Sequence, residues 1–358
     1  MPNSNRRRLL VLSAAALSLT ATAVSHAAGP FDARRTIIEA PNGTLTEAVD
    51  VNNAGLVIGD YNEPDARPFA WSRSTGFVPL GGATDFSLAR GLNECGQIVG
   101  ELGSHAVRWN TFDEVEDLGT LGGSISSAAD INDRGDVAGN AQLSPGGRHA
   151  PFLWTEEDGM RQILECEGQG GTATALNNAR QVVGSCDSVT NDTYHAFFWS
   201  AETGRININL PEFRNTSATG INDRGEVVGD ATAFGPVFRV FAFKWWPKTG
   251  RIVFLKDLGH EWSAARDINQ AGLIVGDAID AANARHAVGW LTPSWGGEVD
   301  PGIGVETTIN ALSDLGTGVG TVLHPGPGNL RAVVWEPPAY VAQALSKLHP
   351  RKCLRPAP

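Results

Sequence analysis

Four histidines in this sequence stand a short distance before a tryptophan, and an imidazole at such a position could act as a general base or bind zinc. His195 begins "HAFFW", which ends at Trp199, while His105 and His286 begin "HAVRW" and "HAVGW". His149 begins "HAPFLW", which has one extra residue. An enzyme needs a catalytic group once, so a recurring motif favours a packing role.

The motif occurs seven times, and three of its copies have no histidine. "RPFAW", "FAFKW" and "RAVVW" carry Arg67, Phe241 and Arg331 at the histidine position. The tryptophan is present in every copy, and successive tryptophans are about 45 residues apart, except for the first interval. We interpret it as the structural residue of a repeat. The seven structural tryptophans are Trp71, Trp109, Trp154, Trp199, Trp245, Trp290 and Trp335.

The elements that position these residues are short predicted strands. A second signature, such as "INDRGEVVG" ending at Gly229, precedes each tryptophan, and a turn such as "STG" before an apolar stretch follows several of them. In the first unit, "EAVDVN", "LVIGDY", "RPFAW" and "FVPL" predict strands A, B, C and D, bounded by Gly, Asn and Ser turns. Self-similarity at 40–45 residues with four strands per unit is typical of β-propeller blades.

The two ends of the repeat region predict how the ring closes. After Trp335 the sequence continues "EPPAYV", and its two prolines exclude a ladder strand, so the last unit has no strand D. The segment 36–48, "TIIEAPNGTLTEA", resembles the strand D and following loop of another unit. We therefore predict an all-β fold, a seven-bladed β-propeller of four-stranded blades whose last blade is completed by the N-terminal strand.

Metal and cofactor chemistry finds little support in these repeats. Zinc ligands must converge to about 2 Å from the ion, whereas equivalent positions on strand C of neighbouring blades lie on the order of 10 Å apart. We expect the imidazoles to bond to nearby backbone and the tryptophans to fill the seams between blades. "DINDRG" (130–135) is similar to a calcium loop but offers too few oxygen ligands, so we expect its asparagine to cap its own turn. "LGTLGG" neither opens a helix nor carries a Lys-Ser/Thr pair, which excludes a phosphate loop. No cofactor is expected.

The repeats resemble those of the bacterial extracellular HAF-repeat proteins, named for the sequence His-Ala-Phe. The resemblance rests on "INDRGEVVG", "HAFFW", "TGRI" and "DLGTLGG" and covers residues 48–336. It implies an exported repeat protein, expected to be a propeller, and implies no particular activity. Ser313 replaces the usual Asn and Arg180 the usual Gly.

The leader and the charge indicate export. Arg6, Arg7 and Arg8 precede an apolar run, and "SHA" ends at Ala27, so residues 1–27 are predicted to be a secretory signal peptide. Residues 28–338 form the predicted propeller, and residues 339–358 a tail with a short helix. The formal net charge is −11, and no basic patch for nucleic acid is visible. We expect a secreted or periplasmic monomer that does not insert into the membrane once the signal is removed.

Function is predicted from the loops. In a blade of this order, the A–B and C–D turns lie on one face (the turn face), and the B–C and D–A connections lie on the other. The B–C loops, such as "SCDSVTNDTY" and "DATAFGPVFRV", share almost nothing, and we name their side the variable face. We predict a binding module for an extracellular polymer or protein. The ligand-binding candidates are Tyr61, Phe86, Tyr194, Phe234, Phe238 and Trp262.

Two alternatives remain open. One is a propeller-type hydrolase or lyase acting near the central channel, and the other is a structural component of the cell surface. Two or three close carboxylates at the channel mouth would favour the enzyme, whereas a mouth filled by apolar side chains from strand A would favour the binding module.

The blade topology restricts the cysteine pairing. Four cysteines allow three pairings. Cys166 and Cys186 are both predicted on the variable face, whereas Cys95 and the start of the tail that carries Cys353 are predicted on the turn face. The pairs Cys166–Cys186 and Cys95–Cys353 are therefore favoured, with free thiols as the alternative.

Overall fold

The computed structural model of the chain describes most of its length after residue 33. The described residues are 34–41, 43–62, 65–82, 86–168, 170–188, 193–208, 210–235, 238–299, 306–323 and 330–348. The predicted signal peptide and Cys353 lie outside them.

The strands follow the predicted A, B, C, D order in every unit. Blade 1 consists of β2 (Thr46–Val51), β3 (Val57–Asn62), β4 (Ala66–Ser72) and β5 (Gly76–Pro79). Blade 2 consists of β6 (Ser87–Leu92), β7 (Ile98–Leu102), β8 (His105–Trp109) and β9 (Val115–Asp117). Blade 3 consists of β10 (Ser126–Ile131), β11 (Val137–Gln142), β12 (His149–Thr155) and β13 (Gly159–Gln162). Blade 4 consists of β14 (Gly171–Leu176), β15 (Val182–Asp187), β16 (Tyr194–Ser200) and β17 (Gly204–Asn207).

The remaining three blades repeat the arrangement. Blade 5 consists of β18 (Phe213–Ile221), β19 (Val227–Ala233), β20 (Val240–Trp246) and β21 (Arg251–Phe254). Blade 6 consists of β22 (Ser263–Ile268), β23 (Ile274–Ile279), β24 (Arg285–Thr292) and β25 (Trp295–Glu298). Blade 7 contains β26 (Thr307–Leu312), β27 (Gly318–Leu323) and β28 (Leu330–Glu336), and α1 (Ala339–Leu348) follows it. The segment 339–348 is thus helical.

The seven sheets form a closed ring, as the sequence predicts. Each sheet is antiparallel, and strand A of each blade contacts strand A of the next, so that the A strands line the axis. The fourth strand of blade 7 is β1 (Arg34–Ile38), which pairs with β28 from Arg34 opposite Glu336 to Ile38 opposite Ala332. The protein is a seven-bladed β-propeller whose last blade is completed by its first strand.

Asparagine side chains shape the A–B turns and link successive blades. Asn132 Oδ1 accepts hydrogen bonds from the N–H groups of Arg134 and Asp136, each at 3.0 Å, as expected for a capped turn. Its Nδ2 donates to the carbonyl of Asn177 in the next blade at 3.1 Å. The same two-way bonding recurs at Asn52, Asn93, Asn177, Asn222 and Asn269.

Two turns depart from this pattern, and each departure has a structural counterpart. Arg180 stands where other turns have glycine and adopts a φ of 57°, a conformation that glycine accepts at lower cost. Its Nε and Nη2 atoms bond to the Asp136 carboxylate of the preceding blade, both at 2.9 Å. Ser313 has no side-chain amide that could link it to blade 1. At its turn the backbone N–H of Leu315 donates instead to Asn53 Oδ1 of blade 1 at 3.1 Å.

The hydrophobic core is divided among the seams between blades. Each of seven buried clusters in the described chain joins side chains of two neighbouring blades, and a repeat tryptophan takes part in each. Five of the seven repeat tryptophans are buried in these seams, as the sequence predicts. Trp109 is fully buried and donates from Nε1 to the carbonyl of Gly81 in blade 1 at 2.9 Å. Trp71 and Trp199 are only half-buried.

A hydroxyl group fastens most seams near the variable face. Thr216 Oγ1, at the inner strand of blade 5, accepts a hydrogen bond from the N–H of Ala196 in blade 4 at 2.8 Å. Equivalent bonds join Thr46 to Ala332, Ser126 to Ala106, Ser263 to Ala242 and Thr307 to Ala287. We call this bond the seam latch. Because it ties strand A of one blade to strand C of the preceding blade, it fixes their spacing.

Candidate functional site

The variable face carries most of the exposed apolar side chains. Of nine large hydrophobic residues that are exposed in the described chain, seven lie at the ends of B–C or D–A connections. These seven are Phe86, Ile125, Leu143, Phe234, Phe238, Leu323 and Leu330. The other two, Phe254 and Leu291, lie on an outer strand and at the turn-face end of a strand C. Contiguous apolar patches on such a face are candidate interaction sites.

The most prominent part of this surface lies on blades 5 and 6. Phe238 is 72% exposed and Phe234 is 61% exposed, and they lie at the two ends of the B–C loop of blade 5. The N–H of Val240, at the start of β20, donates to the carbonyl of Glu261 at 3.2 Å, so this loop is anchored to the D–A connection that carries Trp262. A rigid base with exposed aromatic tips is well suited to capture a partner.

Trp262 contributes a polar edge to the same surface. Its ring is half-buried, and the guanidinium of Arg285 lies 4.9 Å from its centre. Arg239 and Glu261 form an ion pair at 2.6 Å beside it. Charged groups therefore border the two phenylalanines, as polar rims border the apolar centres of interfaces.

The other predicted candidates are placed differently. Tyr61 is buried and packs edge-on against Phe77 at a centroid distance of 5.3 Å, so its ring is part of the core. Phe86 is 49% exposed and lies just before β6, apart from the blade 5 loop. Tyr194 is half-buried at the start of β16. The structure thus brings together Phe234, Phe238 and Trp262 and separates them from the rest.

The histidines have side-chain partners. His105 Nδ1 lies 2.8 Å from the Asp117 carboxylate, and His286 Nε2 lies 3.1 Å from that of Asp280. His149 Nδ1 lies 3.2 Å from the Asn140 amide. The expectation that these three imidazoles bond to backbone groups is wrong, because strands B and D and the B–C loop place polar side chains beside the first residue of strand C.

His195 of "HAFFW" lines a small cavity on the variable-face side of blade 4. The cavity has a volume of about 330 Å³ and is also lined by Glu167, Asp187 and Arg205. Arg205 Nε donates to Asn207 Oδ1 at 2.6 Å, which fixes the guanidinium on the outer strand. Among the described residues, no group of three or more His, Cys, Asp and Glu side chains is arranged to hold a metal ion.

The inner strands bring carboxylates, and not only apolar side chains, towards the axis. Asp50, Asp130 and Asp267 occupy the same position in blades 1, 3 and 6, and each accepts two backbone hydrogen bonds, one from the next blade. Burial raises the pKa of Asp130 to about 7 and that of Asp267 to about 6, and it raises the pKa of Asp50 well above its usual range, with repulsion from the other two adding to the effect. These carboxyl groups hold neighbouring strands together.

A second set of carboxyl groups lies on strand B, towards the variable face. Asp60 Oδ1 accepts the N–H of Ala89 at 2.9 Å, so this side chain also joins two blades. Asp277 accepts the N–H of Ile309 at 3.2 Å and the Nε of Arg266 at 3.1 Å. Burial raises the pKa of Asp60 to about 7 and also raises that of Asp277.

Asp230 is the member of this set that is least engaged. Burial raises its pKa to about 6, opposed by the charge of Arg266, and no hydrogen bond reaches its carboxylate from the described part of the chain. Burial and the charge of Asp230 also raise the pKa of Tyr194. A carboxyl group whose pKa lies near 6 can exchange a proton near neutral pH, as a general acid or base must.

Sequence reasoning missed several of these groups for an identifiable reason. Asp60, Asp230 and Asp277 each follow the glycine that ends the strand B signature, yet other units have Glu, Asn, Ser or Thr there, so no recurring motif stands out. Leu143, Leu323 and Leu330 look like ordinary strand residues in the sequence. Their exposure is decided by where the strands end, which a pattern locates only approximately.

A disulfide reinforces the variable-face side of one seam. Cys166, after β13 of blade 3, is bonded to Cys186 on β15 of blade 4, the pairing that the sequence favours. Gly171 stands opposite Cys186 at the position that carries the seam-latch hydroxyl in other blades. A Cβ atom on Gly171 would lie 2.2 Å from Cys166 Sγ, so the disulfide requires glycine there.

The remaining cysteine pair and the membrane prediction can be examined only within the described chain. None of the described cysteines is free, and Cys353, the predicted partner of Cys95, lies outside the described residues. The Cys95–Cys353 pairing stays a prediction. The described part of the chain contains no helix with the length and apolar character needed to cross a bilayer.

Comparison with known proteins identifies the fold. No protein-family profile and no curated protein sequence matches the chain. The chain is similar to the β-propeller domain of the Trilobed protease from Pyrococcus furiosus, with a TM-score of 0.56 and 9% identity over 81% of this chain and 95% of that one. It is also similar to an oligogalacturonate lyase from Vibrio parahaemolyticus, with a TM-score of 0.53 and 11% identity over 86% of this chain and 98% of that one. The WD40 propeller domain of Doa1 gives 0.51 and 13%, over 84% and 96%. At these identities the likeness shows a β-propeller and no more.

Proposed function

We propose that the protein is a binding module of the HAF-repeat type that acts outside the cytoplasm and holds an extracellular polymer or protein on its variable face. The observation that carries the proposal is the concentration of exposed apolar side chains on that face, seven of the nine in the described chain. The Cys166–Cys186 disulfide and the leader-like first 27 residues support export.

The surface formed by Phe234, Phe238 and Trp262 is the proposed centre of binding. Its two phenylalanines are exposed at the ends of a loop whose base is anchored by a hydrogen bond. Because the base is already fixed, binding of a partner costs less conformational entropy. The ion pair of Arg239 with Glu261 and the stacked Arg285 provide polar contacts at the rim. Aromatic and arginine side chains in such positions contribute most to binding energy.

The test is a binding array of glycans and secreted proteins probed with the exported chain. We expect at least one specific ligand, and we expect the Phe234→Ser/Phe238→Ser variant to lose at least tenfold in affinity. Leu291→Ser is the matched control, because Leu291 is also an exposed apolar side chain but lies at the turn-face end of its strand. A ligand whose binding is lost in Leu291→Ser and kept in the double variant would contradict the proposal.

A hydrolase or lyase is the second candidate, and Asp230 is the observation that favours it. A buried carboxyl group with a pKa of about 6 that accepts no hydrogen bond from the described chain is suited to proton transfer near neutral pH. The test is the release of reducing ends from soluble polysaccharides, both neutral and uronic. Turnover that is lost in Asp230→Asn, with the fold retained, would establish this alternative over simple binding.

A further inference from the structure

A second cavity lies on the turn-face side of the molecule, away from the variable face. It has a volume of about 550 Å³ and opens at the outer rim of the seam between blades 3 and 4, against the A–B and C–D turns of blade 4. The volume is in the range of pockets that hold small molecules. Blade 3 contributes the side chains of its two outer strands, and blade 4 contributes Trp199, at the end of "HAFFW", together with the turn that follows it.

Trp199 differs from most repeat tryptophans because part of its indole faces open space. The side chains of Trp109, Trp290 and Trp335 are at most 1% exposed, whereas Trp199 is half-buried and lines the cavity. The seam at this point is therefore incompletely filled. An indole face left beside a cavity is an apolar platform with a polar N–H at its edge.

The indole N–H of Trp199 is also left available. In two other seams this group donates to the second residue after strand D of the preceding blade, from Trp109 to Gly81 at 2.9 Å and from Trp290 to Lys256 at 2.7 Å. In blade 3 the equivalent carbonyl is that of Leu164. The position is fixed by the residue before it, whose backbone N–H donates to a carbonyl of strand C, as the corresponding residue does in other blades.

The Leu164 carbonyl already accepts a hydrogen bond from a glutamine side chain. Gln162 Nε2 donates to the Leu164 carbonyl at 3.0 Å, and no acceptor for the Trp199 N–H is found in the described part of the chain. Gln162 itself lines the cavity. The Trp199 N–H can therefore donate to a ligand oxygen in the cavity.

The arginines that line the cavity are already paired within the protein. Arg161 pairs with Asp158 at 2.6 Å, and Arg180 pairs with Asp136 through two bonds of 2.9 Å. No arginine of the lining is left without a counter-ion to hold an anion. An uncharged ligand is therefore favoured over a phosphate or a carboxylate.

Other donors and acceptors remain at the cavity wall. Gln181 Oε1 accepts from Asn177 Nδ2 at 2.7 Å, which turns the amide hydrogens of Gln181 away from that partner. Glu202, on the C–D turn of blade 4, supplies acceptor oxygens. Together with the Trp199 N–H, these groups match a ring of hydroxyl groups, each of which both donates and accepts.

We propose that this cavity binds one or two neutral sugar residues of a polysaccharide, which stack on the indole of Trp199 and hydrogen-bond to Gln181 and Glu202. A pyranose ring presents C–H bonds on its faces and hydroxyl groups around its edge, and the cavity offers an indole face and a polar wall whose arginines are already paired. The site is on the opposite side from Phe234 and Phe238, so it does not depend on the function proposed for the variable face.

The test uses the exported chain and the neutral hexasaccharides cellohexaose, maltohexaose and mannohexaose, followed by tryptophan fluorescence and calorimetry. We expect saturable binding of at least one of them. Trp199→Phe should weaken it at least tenfold, since the N–H and half of the indole face are lost. Trp71→Phe is the matched control, because Trp71 is the other half-buried repeat tryptophan and does not line the cavity. It should leave the affinity unchanged.

A cavity-filling variant separates loss of binding from loss of fold. Ala201 is exposed on the C–D turn of blade 4 and lines the cavity, so Ala201→Trp should abolish binding while the melting temperature stays within a few degrees. The Phe234→Ser/Phe238→Ser variant should bind normally. No saturable binding of any hexasaccharide, binding that survives Ala201→Trp, or tighter binding of hexagalacturonate than of the neutral sugars would overturn the proposal.

Discussion

At the scale of single residues, the same tryptophan of the repeat has two roles. Trp109, Trp290 and Trp335 are fully enclosed in seams, whereas Trp199 is open to a cavity. The sequence shows seven equivalent tryptophans, and nothing in the pentapeptides marks the different one. At this seam the Gln162 side chain donates to the Leu164 carbonyl, whose counterpart in blade 1 receives the indole N–H of Trp109. The exposure of Trp199 is set by its surroundings at the seam with blade 3 and not by its own pentapeptide.

We expect Trp109→Ala to lower the free energy of unfolding by about 3–5 kcal/mol, as other large core truncations do. The side chain is fully buried, and its hydrogen bond to Gly81 is lost as well. Trp199→Ala should cost less, because that ring is only half-buried. Urea denaturation of the two variants checks the order. If Trp199→Ala were the more damaging, Trp199 would be a core residue and the cavity would have no functional meaning.

The histidine position is also a matter of single residues. His105, His149 and His286 bond to different partners, an aspartate of strand D, an asparagine of strand B and an aspartate of the B–C loop. The sequence predicts these residues on separate blades, and the structure places them there. The sequence does not reveal the partners, because each depends on local loop geometry that no repeat pattern contains.

At the scale of the elements, the seams are fastened in more than one way. The latch needs a backbone N–H on strand C, and Pro68 and Pro151 have none in blades 1 and 3. At the seam between blades 3 and 4 the latch hydroxyl is absent as well, since Gly171 stands in its place, and the disulfide crosses the same seam. We infer that the disulfide holds blades 3 and 4 together at this seam, as the seam latch holds neighbouring blades together at other seams.

Removal of this disulfide by Cys166→Ala/Cys186→Ala should therefore be costly. The two cysteines are 20 residues apart, and a loop of that length corresponds to roughly 3 kcal/mol of stabilisation. Thr216→Val, which removes one latch hydroxyl at the next seam, is the comparison and should cost about 1–2 kcal/mol. Chemical denaturation measures both. Equal stability of the double cysteine variant and the parent protein would contradict the inference.

The first strand is the second element with a testable role. Ile38 is 1% exposed in the seam cluster of blades 7 and 1, although β1 is the outermost strand of its sheet. We expect Ile38→Ala to cost about 2–5 kcal/mol, whereas Arg34→Ala, on the same strand but exposed, should cost close to nothing. Thermal melting of both variants is the measurement. Similar melting temperatures would mean that β1 does not hold blade 7.

At the scale of the whole molecule, the buried carboxyl groups make stability depend on pH. Burial raises the pKa of Asp60 and Asp130 to about 7 and that of Asp230 and Asp267 to about 6. The folded state therefore binds protons more tightly than the unfolded chain, in which these groups titrate near pH 4. The resulting stabilisation is complete below that pH and is lost as the pH rises through 6 and 7.

We expect the free energy of unfolding to be larger at pH 5 than at pH 8, by a few kcal/mol. Surface repulsion in a chain of net charge −11 acts in the same direction, so the comparison is repeated in 1 M salt, which screens exposed charges far more than buried ones. Persistence of the difference in salt supports the buried groups as its source. A free energy of unfolding that decreases when the pH is lowered from 8 to 5 would contradict the raised pKa values.

The sequence alone predicts the architecture because every level of the repeat agrees. Strand length, glycine turns and the missing last strand together indicate seven blades closed by the N-terminal strand, which the structure places at Arg34–Ile38. The candidate sites are predicted less well. The topology places Tyr61 on the variable face, yet its ring packs on Phe77. The carboxylates at the axis begin the A–B turn signature in only three of the seven units, so the repeat does not mark them as a group. These features depend on contacts between units, whereas a repeat pattern describes what happens within one unit.

The pairing of β1 with β28 also sets an order in time. During synthesis β1 is the first strand of the described chain to be made, and its partner β28 is the last, since Arg34 lies opposite Glu336. Six blades can pair their own strands while β1 remains unpaired, and blade 7 is completed only when residues 330–336 have appeared. A chain that stops before them leaves β1 without a partner and its sheet with an open edge, which exposes it to aggregation and proteolysis. The closed ring thus forms only once synthesis has passed residue 336.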